Sequence, residues 1–164
     1  MSRVNESDVE WQTTEREETR FRRKRLGQRA GGQKLGCSLY ELPPGGSSWP
    51  YHYHEGNEEA LYVLSGTGRI RTPDGEEPVD PGDYVALPTG EAGGHRVVND
   101  CGEGDDEPLR YLAVSTMEQP DVTVYPDSGK IGVFAGSPPG GCGERTVSGF
   151  FPRDADVDYW DGEG

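Results

Sequence analysis

The sequence predicts an all-β fold of short antiparallel strands, and three observations carry that expectation. Glycine and proline number 25 and 13 among 164 residues, a composition that supplies many tight turns. The apolar residues are bunched into runs of strand length, bounded by Gly, Pro, Asn and Asp. No long segment carries apolar residues at helical spacing. Bulk composition pulls the other way: Leu, Ile, Val and Phe make up about 17% of the chain against a net charge of −14, a combination common in disordered proteins. The strand-length grouping overrides it, and eight tyrosines add area to bury.

In chain order, residues 1–20 are polar and acidic and read as an N-terminal arm, residues 21–116 as a barrel, and residues 117–164 as an extension packing on it. The basic run Arg20-Phe21-Arg22-Arg23-Lys24-Arg25-Leu26 has the look of a nucleic-acid patch. An edge strand with solvated or balanced charges is the simpler reading. The run from Leu35 to Leu42 is the next strand, stopped by Pro43-Pro44-Gly45-Gly46. Tyr51 to His54 and Glu59 to Leu64 follow. Gly68 to Thr72 turns at Pro73-Asp74-Gly75 and returns through Glu76 to Val79 as a hairpin. Pro81-Gly82-Asp83 precedes a strand from Tyr84 to Leu87. His95 to Val98 and Leu109 to Ser115 flank an acidic loop, Gly102 to Pro108, read as a solvated insertion because its carboxylates lack the spacing of a calcium loop. In the extension, Val122 to Tyr125, Lys130 to Ala135 and Thr146 to Phe151 read as short strands, with a turn at Pro126-Asp127-Ser128-Gly129.

The chemistry concentrates in residues 46–66. Two of the three histidines in the chain, His52 and His54, stand one residue apart, and in an extended strand such a pair shares one face. A short turn through Gly56-Asn57 leads to Glu59, which shares a face with Leu61 and Val63 while Tyr62 and Leu64 share the other. The third histidine, His95, follows some way on. Three neutral imidazoles and a carboxylate suit borderline divalent ions such as iron, manganese, nickel, zinc or copper. Four protein ligands leave open positions on a six-coordinate ion, as a catalytic site requires.

Gly46, His52, His54, Glu59 and Gly66 reproduce the pattern G-x5-H-x-H-x4-E-x6-G, which resembles the first motif of the cupin superfamily. Gly82, Pro88, Gly90, His95 and Asn99 resemble its second motif, G-x5-P-x-G-x2-H-x3-N, with one departure: four residues, Glu91 to Gly94, separate Gly90 from His95 where the motif has two. The resemblance spans residues 36–116. It implies a single-domain antiparallel β-barrel of jelly-roll (double-stranded β-helix) type with N- and C-terminal extensions. It also implies one divalent metal ion held by His52, His54, Glu59 and His95, and a homodimer in which an N-terminal strand joins the partner's sheet.

Two classes of function follow from that resemblance. One is a metal-dependent enzyme acting on a sugar, sugar phosphate or carboxylic acid by isomerase, lyase or dioxygenase chemistry. The other is a non-catalytic binding or sensing module for a small molecule. Isomerisation needs a proton-transfer group; with every histidine already assigned, Glu41, Tyr40, Tyr53 and Tyr111 are the candidates, unranked. Tyr40, Tyr53, Arg69 and Lys130 are the candidates for substrate contact, Arg69 if its strand faces inward and not to solvent, and Lys130 if its turn serves as a lid over the cavity.

Thirty acidic residues face sixteen basic ones, of which only Lys24, Lys34 and Lys130 are lysines. That balance argues against nucleic acid or an anionic membrane as partner, and it resembles the surfaces of proteins from salt-accumulating halophiles. Cys37, Cys101 and Cys142 form no disulfide or metal-binding pattern; Cys37, alternating with Leu35 and Leu39, reads as a small core residue. The polar N-terminus and the lack of membrane-length apolar runs complete the expectation of a cytoplasmic protein.

Overall fold

A computed structural model describes residues 2–101 and 107–164. Most of the acidic loop after Asp100 therefore lies outside the described residues. The regular structure of the rest is nearly all β. In chain order come β1 (Gln12–Arg16), β2 (Thr19–Lys24), one turn of helix α1 (Leu26–Arg29), β3 (Leu35–Leu42), β4 (Tyr53–His54) and β5 (Glu59–Ser65). They are followed by β6 (Gly68–Thr72), β7 (Gly75–Val79), β8 (Tyr84–Leu87), β9 (Arg96–Val98), β10 (Leu109–Thr116), β11 (Asp121–Tyr125), β12 (Lys130–Ala135) and β13 (Val147–Pro152). No helix among the described residues is long and apolar enough to cross a membrane.

The strands form three antiparallel sheets, ordered β1-β2-β3-β10-β5-β8, β13-β12-β11-β4 and β7-β6-β9. This is the jelly-roll barrel expected from the sequence. Its core draws on both large faces of the barrel: Phe21, Tyr40, Leu42, Leu61, Val63, Leu109 and Tyr111 from the six-stranded sheet meet Ile70, Val79 and Val97 from the three-stranded one. The alternation read in β5 is the mechanism in miniature. Leu61 and Val63 are 6% and 3% exposed, whereas Tyr62 and Leu64 are 44% and 41% exposed, because successive side chains of a strand leave on opposite sides.

Two sequence readings change in detail. The run from Tyr51 to His54 is regular strand only at Tyr53–His54. His52 instead makes an isolated bridge with His95, each backbone N–H donating to the other's carbonyl at 3.3 and 2.9 Å. Cys37 is only half-buried and borders a cavity, so it is not sealed in the core. None of the three cysteines is in a disulfide.

The ends of the chain are built into this architecture. Within the stretch read as an arm, Asn5 caps a 3-10 turn at Glu6–Asp8, and β1 pairs with β2 of the same chain. The basic run then divides by strand alternation. Arg20, Arg22 and Lys24 leave on one side, where Arg20 donates to the Pro44 carbonyl. Arg22 meets Glu41 at 2.6 Å, and Lys24 donates to the Glu6 carbonyl at 2.7 Å. Phe21 and Arg23 leave on the other, toward the interior. At the opposite end, β11 pairs with β4, Thr123 facing His54 and Val124 facing Tyr53, so the tail enters the fold beside the histidines.

Candidate metal centre

The four residues singled out by spacing come from three places in the fold. His54 ends β4, Glu59 opens β5, and His52 and His95 face each other across their two-residue bridge. Ligand atoms of His52, His54 and Glu59 all lie within 4.8 Å of one another, close enough to hold one metal ion. His95 stands against the same carboxylate: its Nε2 is 3.5 Å from Glu59 Oε2, and that of His54 is 3.7 Å from the same oxygen. The His52 and His95 rings are 4.7 Å apart between centroids. All three histidines are buried, each 7% exposed.

Every imidazole is anchored through Nδ1. His52 Nδ1 lies 2.8 Å from the Pro50 carbonyl oxygen and His95 Nδ1 lies 2.9 Å from that of Gly93. His54 Nδ1 lies 2.6 Å from Asp121 Oδ2. With an acceptor at each Nδ1, that nitrogen carries the hydrogen and Nε2 keeps its lone pair, the tautomer a metal ligand needs. Burial, and then the neighbouring His95 and His54, hold His52 well below the usual histidine range, so it stays neutral. Burial also opposes charge on His54, but the hydrogen bond it donates to Asp121 and the field of Glu59 outweigh it and raise its pKa. Asp121 is fully buried. Desolvation acts to raise its pKa, yet His54, Asn57 and the Gly56 N–H more than compensate and keep it below the ordinary carboxylate range. This donor set, three oriented imidazoles around one carboxylate, fits a borderline divalent ion.

The departure in loop length before His95 acquires a local explanation. Glu91–Gly93 forms a 3-10 turn that presents the Gly93 carbonyl to His95. Gly93 has to be glycine, since a Cβ there would collide with the Pro88 carbonyl oxygen. Gly90, at φ 77°, turns the chain so that its N–H donates to the His54 carbonyl at 2.8 Å. Asn99, fully buried, bonds the Leu42 and Glu107 carbonyls at 3.0 and 3.1 Å and fixes the far end of β9.

The site opens into a cavity of about 330 Å³ whose lining includes His52, His54 and Glu59. Its walls are aromatic: Tyr40 and Trp49 from the barrel, Tyr125, Phe134 and Phe150 from the C-terminal sheet. Tyr125 stacks on His52 at 5.8 Å, and burial, then Asp121 and Glu59, push its hydroxyl up to about 12. Tyr40 Oη accepts from both Arg23 and Trp49 Nε1, each at 3.1 Å, which leaves its own proton for a third partner.

The other expected contact residues are dispersed. Tyr53 is buried on the opposite face of β4 from His54. Arg69 points away from the cavity toward Glu76 and Asp100, at 3.4 and 3.8 Å. Lys130 lies 5.2 Å from the Tyr125 ring, outside the cavity lining, because it opens β12 and not a lid. Of the alternative bases, Glu41 is held by Arg22 and Arg110, and Tyr111 is buried behind Tyr40, 5.2 Å away and parallel to it. Sequence reasoning missed Asp121, Tyr125, Arg25 and Arg145. Asp121 is separated from His54 by 67 residues, and nothing in its local sequence marks it.

Residues 38–115 match the family profile described as Cupin domain. Among solved structures, one from Acidithiobacillus ferrooxidans ATCC 23270, provisionally named a sugar phosphate isomerase, is 27% identical with a TM-score of 0.76, over 92% of this chain and 90% of that one. A sugar phosphate isomerase from a cupin superfamily, from Silicibacter pomeroyi DSS-3, is 24% identical with a TM-score of 0.76, over 97% and 98%. The polyketide cyclase RemF of Streptomyces resistomycificus is 29% identical with a TM-score of 0.57, over 71% and 79%. No curated protein matches the sequence.

Proposed function

The chain carries a cupin domain over residues 38–115, and on that footing we propose that it is a metal-dependent enzyme acting on a small polar substrate, a sugar, sugar phosphate or carboxylic acid, by isomerase or lyase chemistry. The observation that carries this reading is the anchoring of His52 and His54 through Nδ1 beside Glu59 at an aromatic-walled cavity, with ligand atoms of the three within reach of one ion and His95 held through its own Nδ1 against the same carboxylate. His52, His54, Glu59 and His95 would hold one divalent ion. Bound there, the ion supplies Lewis-acid polarisation of a substrate carbonyl or hydroxyl.

The chain's own residues supply the rest. Trp49, Tyr125 and Phe150 exclude water from the walls of the cavity and offer faces to a sugar ring. Tyr40 donates its remaining proton to a substrate oxygen. Tyr125, with its hydroxyl held near 12, keeps its proton at neutral pH and acts as a donor, not a base. The likeness to the A. ferrooxidans protein, provisionally named a sugar phosphate isomerase, supports the substrate class.

The test is a screen of protein stripped of metal and reloaded in turn with manganese, iron, nickel, copper and zinc. Phosphorylated and free aldoses and ketoses, and small hydroxy acids, are incubated in deuterated water and read by NMR. Conversion or deuterium uptake that disappears on stripping and returns on reloading is the expected result. Oxygen consumption with the iron, nickel or copper form alone would move the site to dioxygenase chemistry. Tight metabolite binding with no turnover in any form would make it a binding module.

A further inference from the structure

Three arginines line the cavity, and among the described residues none of them is paired with a carboxylate. Arg23 and Arg25 reach it from the end of β2 and the residue after it, and Arg145 reaches it from the segment before β13. Arg23 is placed by its hydrogen bond to Tyr40 Oη and by the Trp49 ring 5.2 Å away. Arg145 is fixed by the Ser137 and Pro138 carbonyls at 3.1 and 3.2 Å and by the Phe134 ring at 4.7 Å. Arg25 has a buried Nε with no hydrogen-bond partner. Among the described residues none of the three makes an ion pair, whereas Arg22, Arg69, Arg71, Arg96 and Arg110 each meet a carboxylate.

In a chain of net charge −14, neutralising partners are abundant, so a cluster of unbalanced guanidinium groups is a costly arrangement to keep. The cost is visible at Arg25: burial and then Arg23 push its pKa down, with Arg145 adding to the effect and Tyr40 opposing it. Unpaired cations held by neutral carbonyls, a phenol and aromatic faces stay free for an incoming anion. The neutral anchors fix their direction without neutralising them.

From this arrangement we infer that Arg23, Arg25 and Arg145 form an oxyanion subsite that takes the phosphate of a phosphomonoester substrate, with the rest of the substrate reaching inward to His52, His54 and Glu59. A phosphomonoester carries up to two negative charges near neutrality and three acceptor oxygens, which suits three guanidinium groups better than one carboxylate does. The inference rests on the reading of the cavity as a substrate site and narrows its substrate to phosphorylated compounds. The basic run that resembles a nucleic-acid patch thereby acquires a role on its inward side.

Binding, not turnover, tests it, so that a failed assay of activity leaves the answer intact. Inorganic phosphate, a phosphorylated monosaccharide, its unphosphorylated parent and succinate are titrated by calorimetry into the metal-free full chain. The wild type is expected to bind the phosphorylated sugar saturably and at least tenfold more tightly than the parent sugar or succinate. Arg25→Gln and Arg145→Gln are each expected to lose tenfold or more, with unchanged circular dichroism. Arg145 is exposed, so its variant keeps the test decisive should Arg25→Gln fail to fold. Equal affinity in wild type and Arg145→Gln, tighter binding of succinate than of phosphate compounds, or no saturable phosphate binding would each overturn the subsite. Phosphate binding that depends on the arginines in a protein without turnover would uphold the subsite while removing the enzymatic reading.

Discussion

His52 and His95 are oriented by their own stretch of chain; His54 is oriented by a strand far along the sequence. The first two place Nδ1 against the carbonyl two residues back, Pro50 and Gly93. His54 places Nδ1 against Asp121 of β11, and Thr123 Oγ1 lies 3.2 Å from the same nitrogen. Residues 52–95 thus carry the donor atoms, and the strands β11 to β13 carry the charge that tunes one of them, along with much of the cavity wall. A neutral carbonyl fixes a tautomer, whereas a buried carboxylate also makes the imidazole more basic. The difference teaches that the tail is part of the site, and the two halves fail in different ways when cut.

The largest effect is expected on the barrel side. His52→Ala and His95→Ala each remove a donor atom and should abolish stoichiometric metal in elemental analysis, lowering affinity by more than about 100-fold, beyond the usual reach of a supporting residue. The barrel should still fold, because neither ring belongs to the hydrophobic cluster of Phe21, Leu42 and Leu109. Undiminished metal in both variants would remove the ligand assignment.

Asp121→Asn tests the other half, and the expected loss of metal affinity is smaller, about 10- to 100-fold. Its effect on the metal-free fold should depend on pH with a definite sign. Asp121 is held below the ordinary carboxylate range, so its contribution is present above about pH 4 and fades as pH falls through the lowered value. His54 is held above the ordinary range, so its contribution is complete below about pH 6.5 and fades as pH rises through the raised value. The stability gap between wild type and variant should be widest between those limits, at about 1.5–3 kcal/mol for a charged hydrogen bond. His52 works in the opposite sense. Its pKa is lowered, so the unfolded chain takes up that proton first and wild-type stability falls as pH drops below about 6.5. Thermal melts of the metal-free proteins from pH 4 to 8 separate the two.

The same contrast explains what could be read in advance. The strands from Leu35 to Thr116 were legible because alternation and turn residues are local signals, and the four ligand candidates were named because every histidine of the chain falls into a pattern that resembles the two cupin motifs. The partner of His54 was not legible: Asp121 looks like any of thirty acidic residues until β11 pairs with β4. The arginines were missed for a related reason. A run of basic residues gives no indication of which side faces a cavity until Phe21 is seen in the core beside Arg23. Arg69 and Lys130 were chosen for charge alone, and pairing with Glu76 and packing on Tyr125 account for them without a ligand.

The smallest effect is expected at the second tie between the two halves. Arg71 of β6 makes a two-pronged contact with Asp127, at 2.6 and 2.8 Å, beside the Tyr51 ring at 4.1 Å. Asp127 sits in the turn between β11 and β12. If the tail served only to cap the barrel, cutting this tie would disturb the metal site as much as losing Asp121 does. Both partners are substantially exposed, at 39% and 49%, so solvent screens the pair and Arg71→Ala should cost no more than about 1 kcal/mol, with a gap that narrows in high salt. Metal affinity should remain within about twofold of wild type, because His54 keeps Asp121 whether or not the turn is clamped. A loss as large as that of Asp121→Asn would mean that the site depends on the docking of the whole tail, and the distinction between a tuning carboxylate and a mere cover would fail.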